Sequence, residues 1–390
     1  MDTRIWLLAA TVFLAGIAEN ICIGILPGIA ADLHVSLAVG GQLTTIFSLT
    51  FALAALACSA WLAHRDRKRL LIAALGVFVL SNLLAAASPG YAALFVLRMV
   101  MAASCATVIL LATMFATDLA PPGKQGRAIG IIFMGISGSL VLGVPVGMTL
   151  NDWLGWRAVF VAIGVPVLPL AFLLARRLPM SPARAPVSIS AWLRHAMTPK
   201  ILTGQLVSIA MIGGHFILFA YLTPYLQARL GVSPNKLTAL YFAFGAAGVT
   251  GAWLGGWCSD RAGPVRALLL CPAVFLMALA ALPVAGQNIA LFLPAMMLWA
   301  GLSWSISPIV QNYLMHSAPE RADASLGINV SAMHLGVALG AGLGGLLVDA
   351  GGLLLAPWAG AGVVAIALLL AIASVRLGTG TATAPQPADT

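Results

Sequence analysis

Twelve long apolar runs divide this 390-residue chain, and they leave few folds open to it. They lie near 5–30, 42–63, 70–88, 91–118, 126–150, 156–177, 201–229, 236–259, 267–286, 288–316, 323–349 and 354–376. About 20 apolar residues in helical form cross a hydrocarbon layer of roughly 30 Å. Only helices and closed barrels satisfy their backbone there. Charged residues make up 8% of the chain, about a third of what a soluble domain carries, so no water-facing surface can be assembled from them. The expectation is an all-α membrane protein with twelve transmembrane helices. The first run is too long for a cleaved signal peptide, contains Glu19, and leads into many more spans.

The net charge of +9 raises nucleic acid as a partner, but its distribution argues against that. With the N-terminus inside, sixteen of the twenty Lys and Arg residues fall in cytoplasmic segments. Arg157, Arg229 and Lys236 lie near the other face, and Arg98 lies inside a span. This is the positive-inside bias, and it places both termini in the cytoplasm. The five cysteines show no paired spacing and read as small apolar core residues.

The chain matches itself at an offset of 197 residues. Pro27 falls on Pro224, and Leu33-x-Val35-Ser36 falls on Leu230-x-Val232-Ser233. Gly130-Ile131 falls on Gly327-Ile328, and Gly143, Gly147 and Asp152 fall on Gly340, Gly344 and Asp349. Two pseudo-symmetric six-helix bundles follow, 1–177 and 201–377, joined by a basic, Pro/Ser-rich cytoplasmic linker at 178–200. The residues from 378 to 390 read as a disordered tail. Gly143, Pro145 and Gly147 in the fifth span, and Gly340 and Gly344 in the eleventh, allow close helix packing. They fit either tight packing alone or a sliding seam between the halves.

Several motifs carry a family resemblance across essentially the whole chain. Gly256-x-x-x-Asp260-Arg261-x-Gly263-x-x-Arg266 resembles the cytoplasmic loop motif of the major facilitator superfamily. Its first-half counterpart has His64 in place of the Asp and Arg67 in place of the Gly. Gly143-Val144-Pro145-Val146-Gly147, with Gly155-Trp156-Arg157-x-x-Phe160, resembles the antiporter motif of the drug:proton antiporter group. Glu19 with Gly24-Ile25-Leu26-Pro27 resembles the first-span signature of twelve-span efflux proteins, and Gly214-His215-Phe216 and Leu302-Ser303-Trp304-Ser305 are similar to bacterial purine efflux pumps. Arg98 fits the family's fourth-span arginine, while Ala102 stands where a glycine is common. The resemblance implies two helix bundles rocking around a midplane site, and proton-coupled efflux of a small planar solute, purine bases or nucleosides foremost. Exporters of sugars or hydrophobic drugs share much of the scaffold and stay open as alternatives. A non-transporting membrane sensor is a more distant one.

Glu19 is the only carboxylate deep inside a span. An ionised acid there costs roughly 2.5–3.5 kcal/mol on insertion scales, which points to a proton site. Helix rise puts Arg98 within roughly 6 Å of its depth, so the two form either a switching pair or a permanent ion pair. His215 falls beside the pseudo-symmetric position of Glu19 and reads as a second titratable group or a satisfied core histidine. His334 is a weaker candidate of the same kind. Trp304 and Gln311 share a face of the tenth span, near Trp299; Asn20, Phe216, Tyr221 and Asn329 add stacking and amide groups from other spans. Such a mixture suits a planar heterocycle with polar edges, and ordinary packing or an interfacial belt is the alternative for each aromatic. Asp118 and Arg127, with Arg65 or Arg67, and Asp260 with Arg261 are candidates for a cytoplasmic gate, or else solvated loop charges. The chain has no phosphate-binding loop and no metal cluster, so neither an enzyme nor a cofactor is expected. The expected partners are the solute, protons and the bilayer, for a monomer in a bacterial inner membrane.

Overall fold

The computed structural model describes residues 2–61, 66–121, 125–180, 194–286 and 288–379. Twelve helices in it are long and apolar enough to cross a membrane: Thr3–Gly24, Leu37–Cys58, Arg67–Ala86, Tyr91–Leu119, Ala128–Leu154, Trp156–Arg177, Pro199–Phe219, Pro234–Ala262, Pro264–Ala285, Ile289–Ser317, Ser325–Asp349 and Leu353–Leu377. Side chains turned outward from them, such as Trp153, Trp253, Leu346 and Leu369, are exposed and apolar, as a lipid-facing surface requires. Residues 62–65, which include Arg65, lie outside the described residues, as do 181–193 of the linker and 380–390 of the tail.

The first and seventh spans are each broken where a continuous helix is expected. The first runs Thr3–Gly24, turns at Ile25 and resumes as Leu26–Asp32. The seventh runs Pro199–Phe219, turns at Ala220 and Tyr221 and resumes as Leu222–Leu230. The cause is one residue in each half. Pro27 and Pro224 have no N–H to give to the carbonyl four residues back, and their rings crowd it. The two breaks coincide at the 197-residue offset. The fifth span swells into a π turn at Ser139–Gly143, just before Pro145, which cannot donate to the Val141 carbonyl.

Within the first six spans, the first packs on the fourth and fifth, and the third on the fourth and sixth. Within the last six, the seventh packs on the eleventh and twelfth, and the tenth on the eighth and ninth. The halves meet along two lines: the second span against the eleventh, and the fifth against the eighth. The first and last described residues lie on one face, here the terminal face. Asp2 caps the first helix by accepting from the Arg4 N–H at 2.8 Å, and Arg4 reaches the Arg177 carbonyl at the end of the sixth span, 3.3 Å away.

At the far face, Asp32 accepts from Trp156 Nε1 at 3.0 Å and pairs with Arg157. Arg157 lies over the Trp156 ring at 4.3 Å. Gly155, at φ 80°, supplies the left-handed turn that sends both side chains back toward the first span. The Arg157 guanidinium, with the Trp156 indole, holds the Asp32 carboxyl below the ordinary carboxylate value of 3.8.

The small-residue seam lies elsewhere than the motif glycines suggest. A Cβ at Gly143 or Gly147 would run into Ile17 or Ile21 of the first span, and one at Gly340 or Gly344 into the Gly213 or Ile217 carbonyl of the seventh. All four contacts are inside one half, so these glycines serve packing within a bundle. The glycines that face the opposite half are others: Gly245 against Val141 Cα (2.8 Å for an added Cβ), Gly345 against Gln42, and Gly41 against the Tyr221 hydroxyl.

Two outcomes test this packing. Gly340→Ala drives a methyl into backbone and should lower stability by about 1–3 kcal/mol, whereas Gly342→Ala, whose Cβ meets Thr45 at an ordinary 3.7 Å, should stay within about 0.5 kcal/mol. Thermal denaturation of the detergent-solubilised variants reads the difference. The Asp32 contribution, from a group whose value is depressed on folding, is fully present above its ordinary value and lost as pH falls through the depressed one. The stability gap between the natural protein and Asp32→Asn should therefore be constant near neutral pH and close on acidification below about pH 4.

Candidate functional site

A narrow pocket with room for about one water molecule lies between the halves, lined by Asn20, Leu140, Val144, Phe219, Tyr241, Phe244, Gly245 and Trp304. Asn20 sits just inward of the Pro27 break, and its amide nitrogen is held by the Gly16 carbonyl at 3.2 Å. Trp304 reaches the cavity because Gly248 leaves room for its indole. The eighth and tenth spans touch through Gly248, Gly251 and Gly255. This spacing of small residues in the eighth span is visible in the sequence and marks the wall of the site, although no motif drew attention to it.

His215 does not face the cavity or Glu19. It is buried in a ring of aromatics: Phe219 stacks on it at 4.7 Å, and Phe216, Trp299, Phe275 and Phe244 surround it at 5.0, 5.2, 6.3 and 6.4 Å between centroids. His215 Nδ1 and Trp299 Nε1 have no hydrogen-bond partner. Phe216 and Trp299 therefore back the wall that Phe219 and Phe244 present. The direction of His215 is set by these five rings.

Other expectations are corrected in the same way. Tyr221 lies at the turn of the broken seventh span, fully buried. Its hydroxyl donates to the Ala341 carbonyl at 3.2 Å and rests on Gly41 of the opposite half. It belongs to the closure of the far face rather than to a solute site or a belt. Asn329 donates to Gln205 Oε1 at 2.9 Å and contacts Ser208 Oγ at 3.1 Å, inside the second bundle. Gln311 lies two turns nearer the terminal face than the cavity-lining Trp304.

The Glu19 environment differs most from the expected ion pair. Arg98 is completely buried, but its guanidinium donates to the backbone carbonyls of Ala18 (2.6 Å) and Glu19 (3.3 Å) and lies over the Phe47 ring at 4.1 Å. The carboxylate points elsewhere, to His334 of the eleventh span, with Oε1 4.0 Å from Nδ1.

Among the described residues, the gate candidates have partners within their own halves. Arg67 pairs with Asp118 at 2.9 Å, joining the third span to the fourth. Asp260 and Ser259 receive the Asn312 amide, while Arg261 lies over Trp257 at 4.6 Å. Arg65 lies outside the described residues, and so does the side chain of Arg127.

The far face is closed across the halves. The Thr223 hydroxyl donates to the carbonyls of Ile23 and Gly24, at 3.1 and 3.2 Å, and lies 2.8 Å from the Tyr241 hydroxyl. Because carbonyls only accept, Thr223 supplies that proton and Tyr241 donates to Thr223. Pro27 left the Ile23 carbonyl without its helical donor, and the opposite half provides one.

Two helix bundles enclosing a cavity at mid-depth, closed at one face, define a polytopic membrane transporter. The chain belongs to the Major Facilitator Superfamily, whose sequence profile matches residues 8–328. It is 34% identical over 358 residues to an uncharacterised transporter of this family from Bacillus subtilis, YbcL, covering 92% of each chain. It is 31% identical to the inner membrane transport protein YdhP of Escherichia coli K12, covering 91% of each. Two relatives have names that state a cargo: a probable sugar efflux transporter of Mannheimia succiniciproducens, 28% identical over 92% of this chain and 90% of its own, and a chloramphenicol efflux pump of Mycobacterium tuberculosis, 29% identical over 89% and 86%. Among solved structures, a bacterial homologue of the human lysosomal transporter Spinster matches with a TM-score of 0.82 at 18% identity, over 98% of both chains. The chain is therefore a membrane transporter and not an enzyme.

The Thr223 contact yields a direct test. Thr223→Val keeps the shape and removes the proton, leaving the carbonyls without their donor. The far face should open more often by roughly fivefold, about 1 kcal/mol for one hydrogen bond, seen as faster labelling from the far side of a cysteine placed at Ala38, which is buried against Gly345.

Proposed function

We propose that this protein exports a small planar solute, a purine base or nucleoside, in exchange for protons. It does so as a monomer in a bacterial inner membrane, with the terminal face in the cytoplasm. The observation that carries the reading is the cavity wall. Four rings, Phe219, Tyr241, Phe244 and Trp304, surround one amide, Asn20, and the Tyr241 hydroxyl is already engaged by Thr223. Flat aromatic faces with a single amide suit a flat heterocycle, which stacks and needs few hydrogen bonds. A sugar, whose hydroxyls each need a partner when dehydrated, is served poorly.

Glu19 and Asn20 are consecutive on a helix and so point about 100° apart. Asn20 lines the cavity and Glu19 faces the eleventh span, which keeps proton and solute on neighbouring but separate surfaces. Exchange then works through conformation: the acid releases its proton when open to one side and is reloaded when open to the other. A second reading takes an aryl drug as cargo. The largely apolar lining favours it, and so does the relative named for chloramphenicol efflux.

Transport in proteoliposomes tests both. Under an imposed pH gradient, labelled guanosine should move and arabinose should not; movement of chloramphenicol alone selects the second reading. Glu19→Gln should lower gradient-driven flux at least tenfold while solute-for-solute exchange persists, and undiminished driven flux removes Glu19 from coupling. Trp304→Ala should weaken binding roughly 5- to 100-fold, the range of one lost stacking contact.

A further inference from the structure

Glu19 and His334 are the titratable side chains that meet across the two halves at mid-depth. Among the described residues, no hydrogen-bond donor reaches the Glu19 carboxylate: the Arg98 Nη groups donate to the backbone of the first span, and its Nε has no partner. His334 Nδ1 likewise has no hydrogen-bond partner. The two atoms stand 4.0 Å apart, about 1 Å beyond a hydrogen bond. His334 is held face to face on Phe51 of the second span, with centroids 3.7 Å apart and planes 20° apart. The approach is thus fixed by the first and second spans on one side and the eleventh on the other.

The pair is partly open, although His334 Nδ1 itself is buried. The Glu19 side chain keeps 20% of its exposure and His334 keeps 14%. On the far-face side, the second and eleventh spans are in contact from Ala38 and Gln42 against Gly345 to Thr45 against Gly342, so that side of the pair is packed. Other titratable groups surround the pair without meeting it. Cys22 is on the first span, and Arg98 and Cys105 are on the fourth, with the Cys105 thiol directed to the Ala15 carbonyl. Cys58 of the second span contacts Thr107, His215 of the seventh faces its own aromatic ring set, and His316 of the tenth bonds to the Asn312 carbonyl.

We propose that His334 is a second proton-binding residue, a positioning partner for Glu19 that links proton occupancy to closure of the terminal face. With one proton shared between them, a carboxylate faces an imidazolium, and the attraction draws the eleventh span onto the first. With no proton, or with two, only one of the pair is charged and the attraction vanishes. Loading the second proton places it on the Glu19 carboxylate and leaves the imidazolium as it is; losing the first takes it from the imidazole nitrogen. Closure therefore passes through a maximum as pH varies. The inference rests on the proton-coupling role of Glu19.

Spin labels at residues 119 and 318, on the terminal-face ends of the fourth and tenth spans, read this closure in the full-length protein with its five cysteines replaced by alanine. The distance distribution needs no solute. The closed population of the parent should rise and fall as pH is scanned, by roughly threefold to tenfold for a partly open pair. His334→Asn and Glu19→Gln should each flatten that profile, and the double variant should add nothing further. Either single variant carries the test if the other fails to fold. A bell-shaped profile that survives His334→Asn overturns the proposal. If Glu19→Gln abolishes gradient-driven flux while His334→Asn leaves both flux and profile intact, only the role of His334 falls. If Glu19→Gln leaves driven flux intact, the coupling role falls, and this proposal with it.

Discussion

The structure turns on a carbonyl that its own helix cannot satisfy. Inside a bilayer every backbone acceptor needs a donor from within the protein, and Pro27 deprives the Ile23 oxygen of one. Thr223, from the other bundle, supplies it. The same proline breaks the first span at Ile25 and so shapes the place where the two bundles close. Asn20, Glu19 and the cavity all lie just inward of this break, in a stretch whose helix is held from outside rather than by its own continuation.

Arg98 shows the same principle with a charge. A guanidinium buried at mid-depth carries a large desolvation cost, and an ion pair with Glu19 would offset it while locking both groups. Instead the charge rests on two carbonyls and the face of Phe47. The helix backbone takes the charge and the carboxylate remains available. A fixed cation a few ångströms away still shapes the local potential, so Arg98 acts on Glu19 through the field and through the placement of the helix rather than as its direct partner.

The spans, the duplication and the identity of the buried acid were legible in the sequence because each depends on position along one chain: hydropathy, an offset of 197, a lone Glu. What could not be read is direction around a helix relative to helices far away in sequence. Depth arithmetic rightly brought Arg98 near Glu19, yet its hydrogen bonds end on the backbone. It set His215 beside the counterpart of Glu19, yet five rings turn it inward. The glycines of the fifth and eleventh spans were recognisable as packing sites, but whether their neighbours belong to the same bundle depends on helix rotation. One signal of the seam is carried by the duplication: the duplicate of His334 is Ser137, which also faces the interface, beside Gly245 and Trp304. A residue pair that meets the partner bundle in both copies marks a seam.

The duplication is also broken at one informative atom. The counterpart of Thr223 is Leu26, so the second bundle can donate a proton to the break in the first, whereas the first has only an isobutyl group to offer in return. Two otherwise equivalent arms therefore hold each other unequally, and the far face has a latch whose mirror image does not exist. Such a latch cannot change how far solute accumulates, since that is fixed by the gradients on the two sides. It decides how long the carrier dwells with its mouth turned each way, and hence at what concentration each compartment half-fills it.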